Sequence, residues 1–599
     1  MSEQFPVEDP SWDLDPIFEG GVESESFDRE VELLNREVDE LQQEVAALEL
    51  PQEQGQLGRW RQFFDRYFQI SDRLREAGSF ARALASAHTD EAEAMRMPSR
   101  LDDVQTAMRQ VRVQLESTFR NIDDAQFALF TDDERFGQMT LWLEELRSDA
   151  QRAMDRGREM LAAKLNRDGL HAWGRLYSEV SGRLEVEIER DGQMKTYSVG
   201  QAKNLMINAD RSVRRAAFEG LQHAWKEASP VCASALHAIR GTQRTLYEER
   251  GGDCLTDPLE VNRVERSTIE AMFEAAREFK PVLQRYLKAK ARLIGVDRLQ
   301  WYDLRAPVGE EAKEISYSEA QQFIVDQVEE FSPKMASFCR DALARRWVEA
   351  EDRPCKRQGG YCTSFPVSGQ IRIFMTFGGT SSGVSTLAHE LGHGYHGMVM
   401  KKLPASERQM PMGLAETAST LVEALVEQAA LRQAGGQRRL ALLDQRLERA
   451  TAFLINIPAR FQLEKKMHEL RAEGRLHEEL LSDVTRQVFE RAYGDPVAGV
   501  DELFWASKLH FFIAGLPFYN FPYTFGYLFS RAVYQRALDD ETFRDGLDDL
   551  LADTGRMRCE PLAQKYLDAD LGSVEFWKEA AGALEEDVQR FEKSVEASL

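Results

Sequence analysis

The clearest pattern in the chain is a run of apolar residues near the amino terminus, spaced alternately by four and three positions. The run ends before Pro51 and comprises Phe27, Val31, Leu34, Val38, Leu41, Val45 and Leu48. This spacing predicts a long helix with an apolar seam about three heptads long. Because three heptads are marginal for an independent coiled coil, the seam favours one arm of an intramolecular helical hairpin over a coiled-coil dimer.

The pattern changes twice further along the chain. Charged, helix-periodic sequence continues to about residue 180 and predicts a stack of amphipathic helices. Residues 184–197 then alternate apolar and polar positions around Asp191-Gly192, which predicts a β-hairpin. Helical patterning resumes from about residue 200 to 350.

A strand, a glycine turn and a helix are predicted next, in that order. The alternating run 371–377 predicts the strand, and Gly378-Gly379 ends it. Ser385 and Thr386 are good helix N-caps and stand directly before a segment that contains two histidines.

Composition narrows the possible partners and compartment. Asp and Glu outnumber Lys and Arg by 101 to 76, which gives a formal charge of -25 and argues against nucleic acid or an anionic membrane as partner. The first residues, MSEQFPVEDP, have no basic start and no apolar run, so a cytoplasmic location is expected. Six cysteines without a repeated CxxC spacing predict reduced thiols.

One uncharged stretch, Phe511 to Ser530, is long enough to cross a bilayer. Pro517 and Pro522 would break a spanning helix, and the tyrosines would be expensive to bury in lipid. The stretch therefore predicts an aromatic loop or a cavity wall, not a membrane span.

Residues 389–393, which read HELGH, carry the clearest chemical signal. Residues four apart share one helix face, so His389 and His393 can bind one zinc ion while Glu390 borders the open coordination position. Zinc lowers the pKa of its bound water, and a neighbouring carboxylate can take that proton and deliver one to the leaving amine. The segment predicts a zinc-dependent peptidase with Glu390 as general base.

The third zinc ligand must come from elsewhere, and the fourth position is left to water. Position 399 is Val, so the third histidine of the metzincin pattern is absent. A second predicted helix offers Glu416, Glu423 and Glu427. We choose Glu416, because its small neighbours would let this helix approach the first closely. Glu423 fits either a hydrogen-bond partner for a ligand histidine or a plain surface carboxylate.

These residues also carry a family resemblance. HELGH at 389–393 followed by LAETAST at 414–420 resembles the oligoendopeptidase F branch of the thimet oligopeptidase family. Three further segments resemble that branch in the same order along the chain: WDLDPIF at 12–18, GGYCT at 359–363 and FYNFPYTFGY at 518–527.

The β-hairpin marks a lobe boundary in the sequence pattern, and the resemblance implies a mainly α fold. Residues 1–180 would form a helical amino-terminal lobe with a long helical hairpin. Residues 181–599 would form a zincin-like catalytic domain with a small β-sheet, and a deep substrate channel would run between the lobes. The implied activity is zinc-dependent endopeptidase cleavage of short, unstructured peptides, with one Zn²⁺ per chain.

The resemblance also implies roles for the carboxyl-terminal segment. The family uses a histidine and tyrosines there to bind substrate and stabilise the oxyanion, and the matching positions are His510, Tyr519, Tyr523 and Tyr527. The alternative is an aromatic core strip. Because Phe521 stands where another tyrosine is expected, the identity of the oxyanion donor stays open. The glycines of the segment suggest a loop that closes on substrate.

Further alternatives stay open at this stage. Residues 371–377 fit an edge strand that pairs with an extended substrate, and also a buried strand of a small sheet. A dipeptidyl carboxypeptidase of the same superfamily is a second enzyme hypothesis. A non-catalytic helical scaffold is the rival from another class, and the oligomeric state is not predicted.

Overall fold

The protein is described by a computed structural model that covers residues 5–190, 192–309 and 314–598. It is mainly helical with small β-sheets, which confirms the predicted fold class. The chain forms two compact units. The first comprises Met1–Asp155, Ala312–Ala429 and Val533–Arg558, and the second comprises Arg156–Glu311, Ala430–Ala532 and Cys559–Leu599. These units are defined by compactness alone. The predicted division into an amino-terminal lobe, 1–180, and a catalytic domain, 181–599, stays a prediction.

The α-helices that begin in the first unit are Glu25–Ala46, Leu57–Ala87, Ala92–Arg96, Asp102–Phe119, Asp124–Thr131, Thr140–Arg152, Tyr317–Phe331, Pro333–Ala344, Ser381–Met400, Met412–Gln433, Glu541–Asp545 and Leu547–Asp553. Those that begin in the second unit are Arg156–Gly169, His171–Arg183, Val199–Leu205, Arg211–Glu249, Thr256–Val261, Arg266–Leu293, Gly436–Thr451, Ile457–Glu473, Glu478–Tyr493, Phe504–Ser507, Phe521–Asp539, Cys559–Leu567 and Val574–Ser598. The strands are β1 (Glu185–Arg190), β2 (Gln193–Ser198), β3 (Leu299–Gln300), β4 (Val348–Glu349), β5 (Tyr361–Phe365), β6 (Gln370–Phe374) and β7 (Val497–Gly499).

The predicted apolar seam lies on the helix Glu25–Ala46. Ser24 caps this helix, and its hydroxyl accepts a hydrogen bond from the Phe27 N–H at 3.3 Å. The seam residues within the helix are buried, and the helix packs on Leu57–Ala87 and Asp102–Phe119 of the same unit. This burial confirms the predicted intramolecular packing. The seam of a coiled-coil dimer would be exposed in a single chain.

The predicted β-hairpin is confirmed by β1 and β2, which pair in antiparallel register from Glu185 with Ser198 to Arg190 with Gln193. Asp191 of the predicted turn lies outside the described residues. Gly192 has a φ of 73°, the left-handed region that a glycine adopts without strain.

The first unit contains a three-stranded sheet in the order β4-β6-β5. Strand β6 is parallel to β4 and antiparallel to β5. Beyond β6, the N–H groups of Met375 and Phe377 still donate to the carbonyls of Glu349 and Ala350, at 2.8 and 2.9 Å. The predicted strand 371–377 is therefore present but central, and its predicted edge position is wrong because neighbours occupy both sides. The outer strand next to it is β5.

The amino-terminal segment docks on the same sheet. The carbonyl of Pro10 accepts from the Ala350 N–H at 2.6 Å, and the Asp13 N–H donates to the Arg346 carbonyl at 2.8 Å. The ring of Trp12 packs on Phe374 with a centroid distance of 5.7 Å. The segment 12–18 thus extends the sheet region that lies next to the histidine pair.

The uncharged stretch 511–530 divides into two conformations. A short 3₁₀ turn, Leu509–Phe512, opens it, and the α-helix Phe521–Asp539 begins within it. The prediction of a loop is wrong from Phe521 onward, because Pro522 stands in the first helical turn, where a missing N–H costs nothing. Among the described residues, no helix is long and apolar enough to cross a membrane.

The seam generates a prediction about stability. Leu34 is fully buried, so Leu34→Ala should lower the unfolding free energy by about 2–5 kcal/mol through lost burial and a residual cavity. Thermal or urea unfolding measures this effect, with Leu165→Ala as the control because Leu165 is 62% exposed. An unchanged midpoint for Leu34→Ala, or a change in oligomeric state, would contradict the intramolecular packing.

Candidate metal centre

The helix Ser381–Met400 carries both histidines, and we call it the histidine helix. It begins one turn before the predicted caps, with Thr380 as N-cap: the Thr380 hydroxyl accepts from the Gly383 N–H at 3.1 Å. Ser385 and Thr386 lie inside the helix, so their predicted capping role is wrong. The positive φ of Gly379 turns the chain early enough for Thr380 to cap.

His389 and His393 lie on one face of the histidine helix. Their ring centroids are 4.8 Å apart and the ring planes are nearly perpendicular, at 85°. Residues four apart point in the same direction along a helix, so two ring nitrogens converge without any special backbone geometry.

The helix Met412–Gln433, which we call the acidic helix, approaches the histidine helix at Gly392. A Cβ on Gly392 would lie 2.5 Å from Ser419 Cα and 2.6 Å from the Ala418 carbonyl oxygen. No side chain fits in that space. The absence of a side chain at Gly392, together with the small residues facing it, therefore sets the distance between the two helices.

This close approach brings Glu416 to the histidines. Glu416 Oε2 lies 3.3 Å from His389 Nε2 and 3.5 Å from His393 Nε2, and the three donor atoms lie within 4.8 Å of one another. A tetrahedral zinc ion with bonds of about 2.0–2.1 Å needs donors about 3.3–3.4 Å apart. The type and number of the donors, and the two distances from Glu416, therefore fit zinc.

The electrostatics of the three residues are coupled. Burial opposes ionisation of Glu416, but its contacts with His389 and His393 outweigh burial and lower its pKa to about 2. Burial opposes protonation of His389, but Glu416 and Glu423 outweigh it and raise its pKa to about 10. Burial lowers the pKa of His393 to about 4. Without a metal ion, one proton on His389 therefore balances the Glu416 carboxylate.

The acidic helix also contacts the second ring nitrogen of His389, Nδ1. His389 Nδ1 lies 3.3 Å from Glu423 Oε2, and the Ser385 hydroxyl donates to Glu423 Oε1 at 2.7 Å. Of the two interpretations of Glu423, the geometry favours the contact with a ligand histidine. The sequence analysis gave Ser385 a capping role and missed its contact with Glu423, although its position four residues before His389 places it on the same helix face.

Glu390 is 6% exposed and lies beside the histidine pair. Its Oε2 has no hydrogen-bond partner among the described residues, and burial raises its pKa to about 7. A Cβ on Gly360 would lie 3.0 Å from Glu390 Oε1, so the segment Gly359-Gly360 before β5 runs against this carboxyl group.

His396 is the third histidine of the helix and does not join the cluster. It is buried, and its Nε2 lies 3.0 Å from the Leu551 carbonyl oxygen and 2.9 Å from Thr554 Oγ1. These contacts hold the histidine helix against the segment that ends the first unit.

The predicted oxyanion residues belong to the second unit. The rings of His510 and Tyr519 are stacked, with their centroids 5.1 Å apart, and the ring centroids of Tyr519 and Tyr523 are 6.0 Å apart. Tyr527 is 6% exposed and packs on Phe453 at 4.7 Å. The structure thus brings three of the four residues together and places Tyr527 in a packed aromatic contact.

Two further properties of this segment follow from its surroundings. Burial, and then the nearby charges of Arg460 and Lys508, lower the pKa of His510 to about 4, so the ring is a neutral imidazole at neutral pH. Gly526 lies inside the helix Phe521–Asp539, so the suggestion of a glycine-hinged closing loop is wrong at that position.

Comparison with known proteins gives a consistent result. Residues 204–558 match the family model described as peptidase family M3, and residues 119–185 match the model described as oligopeptidase F. A chromosomal oligoendopeptidase F of Lactococcus lactis subsp. cremoris is 26% identical over 419 residues, which is 67% of each chain.

Solved structures show the same fold. A peptidase from Chlamydophila abortus superposes with a TM-score of 0.81 at 18% identity, over 98% of this chain and 99% of that one. Oligoendopeptidase F from Enterococcus faecium gives a TM-score of 0.70 at 18% identity, over 96% and 99%.

The ligand geometry predicts how zinc content responds to substitution. Glu416→Ala should abolish stoichiometric zinc, because two histidines alone do not complete the site. Glu423→Gln should weaken zinc binding by about 10- to 100-fold, because His389 loses an orienting carboxylate. Metal analysis after dialysis against a graded chelator measures both effects, with the exposed Glu329→Gln as control. Full zinc retention by Glu416→Ala would remove Glu416 from the ligand set.

The raised pKa of His389 predicts a proton release. The ring is protonated in the metal-free protein at neutral pH, whereas a histidine ligand must be neutral. Zinc binding should therefore release about one proton near neutral pH, and the release should vanish as the pH rises above about 10. Calorimetry of zinc binding in buffers of different ionisation enthalpy measures the number. A buffer-independent enthalpy at neutral pH would contradict the assigned ion contacts.

Proposed function

The chain belongs to peptidase family M3, and from that premise we propose that it is a zinc-dependent oligoendopeptidase that hydrolyses internal bonds of short peptides. Its family and its oligoendopeptidase F relatives make it a metalloendopeptidase. The observation that carries the proposal is the cluster of His389, His393 and Glu416 beside the buried carboxyl group of Glu390.

The proposed zinc ligands are His389, His393 and Glu416, one ion per chain. Three protein donors leave one coordination position for water or substrate, the arrangement of catalytic zinc sites. When bound, zinc would polarise the scissile carbonyl and acidify a water molecule at its open position. The contact of Glu423 with His389 Nδ1 fixes the ring so that its Nε2 faces Glu416.

Glu390 is the proposed general base. Its unpaired Oε2 and its pKa of about 7 support this role, because a base titrating near the working pH both takes a proton and gives it back. Glu390 would accept a proton from the attacking water and then deliver one to the leaving amine. The neighbouring Gly360 leaves room for this exchange where a side chain would crowd the carboxyl group.

His510, Tyr519 and Tyr523 are the proposed donors to the developing oxyanion. A neutral imidazole N–H and phenolic hydroxyls are suitable donors in a site that excludes bulk water. Tyr527 is the weakest of the four predicted residues for this role, because its ring is buried against Phe453.

Strand β5 is the proposed docking edge for the substrate backbone. It pairs with β6 on one side, and Gly360, directly before it, lies against Glu390. A peptide added to β5 would make main-chain hydrogen bonds, which are independent of side-chain identity. This supports activity on peptides of varied sequence. A cytoplasmic location stays a prediction.

Glu390→Gln should keep the zinc ion and lower kcat by about 10²- to 10⁴-fold, because the amide cannot accept the proton. Mass spectrometry of the products from a mixed peptide pool, with metal analysis of the same sample, measures both effects. Glu469→Gln is the matched control, since Glu469 also follows a histidine but lies on an exposed helix face. Near-normal turnover by Glu390→Gln would show that another group is the base.

A further inference from the structure

The segment between two of the proposed oxyanion donors is held by buried polar side chains that the mechanism above does not use. We call this segment, from His510 to Tyr519, the donor segment. The backbone carbonyls of Phe511 and Ala514 lie inside it, and both accept hydrogen bonds from side chains of the helix Arg211–Glu249. The donor segment and this helix belong to the same unit.

Arg240 and Gln243 provide these hydrogen bonds, and both side chains are buried. Arg240 Nη2 donates to the Phe511 carbonyl at 3.0 Å, and Gln243 Nε2 donates to the Ala514 carbonyl at 2.9 Å. The two side chains are also joined to each other, because Arg240 Nη1 donates to Gln243 Oε1 at 2.8 Å. Residues three apart share one helix face, so the pair holds two carbonyls of the donor segment together.

A carboxylate fixes the direction of the guanidinium. Glu464 Oε1 accepts from Arg240 Nη2 at 2.6 Å, and both side chains are almost fully buried. A buried ion pair adds little net stability compared with apolar side chains of similar volume, because both charges lose their hydration. Its charge-assisted hydrogen bonds have a strict geometry, so what this pair contributes is the position of the guanidinium.

The far end of the donor segment is held in a strained conformation. Phe518 has a φ of 54°, which is uncommon for a bulky residue and persists only where the surroundings enforce it. Its ring packs on Phe461 and His468, with centroid distances of 5.0 and 5.6 Å. These two rings and Glu464 share one face of the helix Ile457–Glu473, at spacings of three and four residues. One helix face therefore contacts both ends of the donor segment's support.

Each donor is adjacent in sequence to an anchored residue. His510 stands directly before Phe511, whose carbonyl accepts from Arg240. Tyr519 stands directly after the strained Phe518. The two donor rings stack with their centroids 5.1 Å apart, so a shift at either anchor redirects both the imidazole and the hydroxyl. Oxyanion donors are effective only when they are aimed at the place where the charge develops.

We propose that Arg240, Gln243 and Glu464 are positioning residues, which act on peptide hydrolysis by holding His510 and Tyr519 in one geometry. The inference rests on the proposed function, because it takes these two residues as oxyanion donors. Loss of the positioning residues should lower kcat and leave KM nearly unchanged, because the oxyanion develops in the transition state and is absent from the bound substrate.

Two variants remove the anchors and keep the volume of the core. Gln243→Met removes the donor to Ala514, and Arg240→Met/Glu464→Met replaces the ion pair by apolar side chains. Each should lower kcat of the zinc-loaded enzyme by about 10- to 100-fold, because a small misplacement of catalytic groups costs that much. KM should stay within about twofold, and the zinc content should not change. Wild-type kcat in both variants would overturn the inference.

Another buried ion pair of the same unit offers the matched control. Lys290 Nζ lies 2.9 Å from Asp444 Oδ2, on the helices Arg266–Leu293 and Gly436–Thr451. Lys290→Met/Asp444→Met reproduces any general effect of removing a buried ion pair, and it should leave kcat within about twofold of the wild-type value. An equal loss of kcat in this control would show that the effect is not specific to the donor segment, and would contradict the assignment.

Hydrogen exchange of the full-length protein gives a measurement that does not depend on activity. The amides of the donor segment should exchange about tenfold faster, or more, in Gln243→Met and in Arg240→Met/Glu464→Met than in the wild type, because their local opening becomes easier. The control pair should leave this exchange unchanged. Undiminished protection of the donor segment in the anchor variants would mean that it is held by other contacts, and the inference would fail.

A combined variant separates the inference from the proposed function. In a His510→Gln/Tyr519→Phe background the anchors have no donor left to position, so Gln243→Met should lower kcat further by less than about twofold. An equal loss in both backgrounds would overturn the inference and leave the peptidase proposal standing. Wild-type kcat for His510→Gln/Tyr519→Phe itself would instead remove these residues as oxyanion donors, and the inference with them.

Discussion

The geometry of the candidate centre depends on one steric constraint, the contact between the histidine helix and the acidic helix at Gly392. The missing side chain lets the backbone of Ser419 come within what would be 2.5 Å of a Cβ. Glu416 stands one turn before this contact, so the helix separation determines how far its carboxylate is from the two imidazoles. A wider spacing would leave Glu416 too distant to share an ion with His389 and His393.

The same contact concentrates acid groups around few bases. Glu390, Glu416 and Glu423 lie around two imidazoles that share at most one extra proton in the metal-free state. A low-polarity interior tolerates such an excess poorly unless a cation is present. The excess of carboxyl groups around the two histidines therefore favours a divalent cation, in addition to the fit of the donor atoms. The protonation of Glu390 and that of His389 both contribute to this charge balance.

The sequence predicted those features that depend on short-range periodicity. The spacing of His389 and His393, the seam from Phe27 to Val45 and the hairpin at β1 and β2 are all local patterns. Glu416 could be chosen because its small neighbours stand beside it in the chain. The central position of β6 was not predictable, since β4 and β5 reach it through long-range pairing.

Other features escaped prediction for the same reason. Thr380 caps the histidine helix because Gly379 turns the chain early, and both Ser385 and Thr386 looked equally good as caps. Phe521 starts a helix where the two prolines suggested a loop, because Pro522 falls in the first turn.

The docking of the amino-terminal segment on the sheet has a consequence for the order of folding. Trp12 donates its backbone N–H to Glu349 Oε2, a partner 337 residues later in the chain. At ordinary rates of translation, that partner emerges on the order of tens of seconds after Trp12. The ring of Trp12 and its backbone N–H therefore lack their final partners, Phe374 and Glu349, until the ribosome has completed the strands of the sheet.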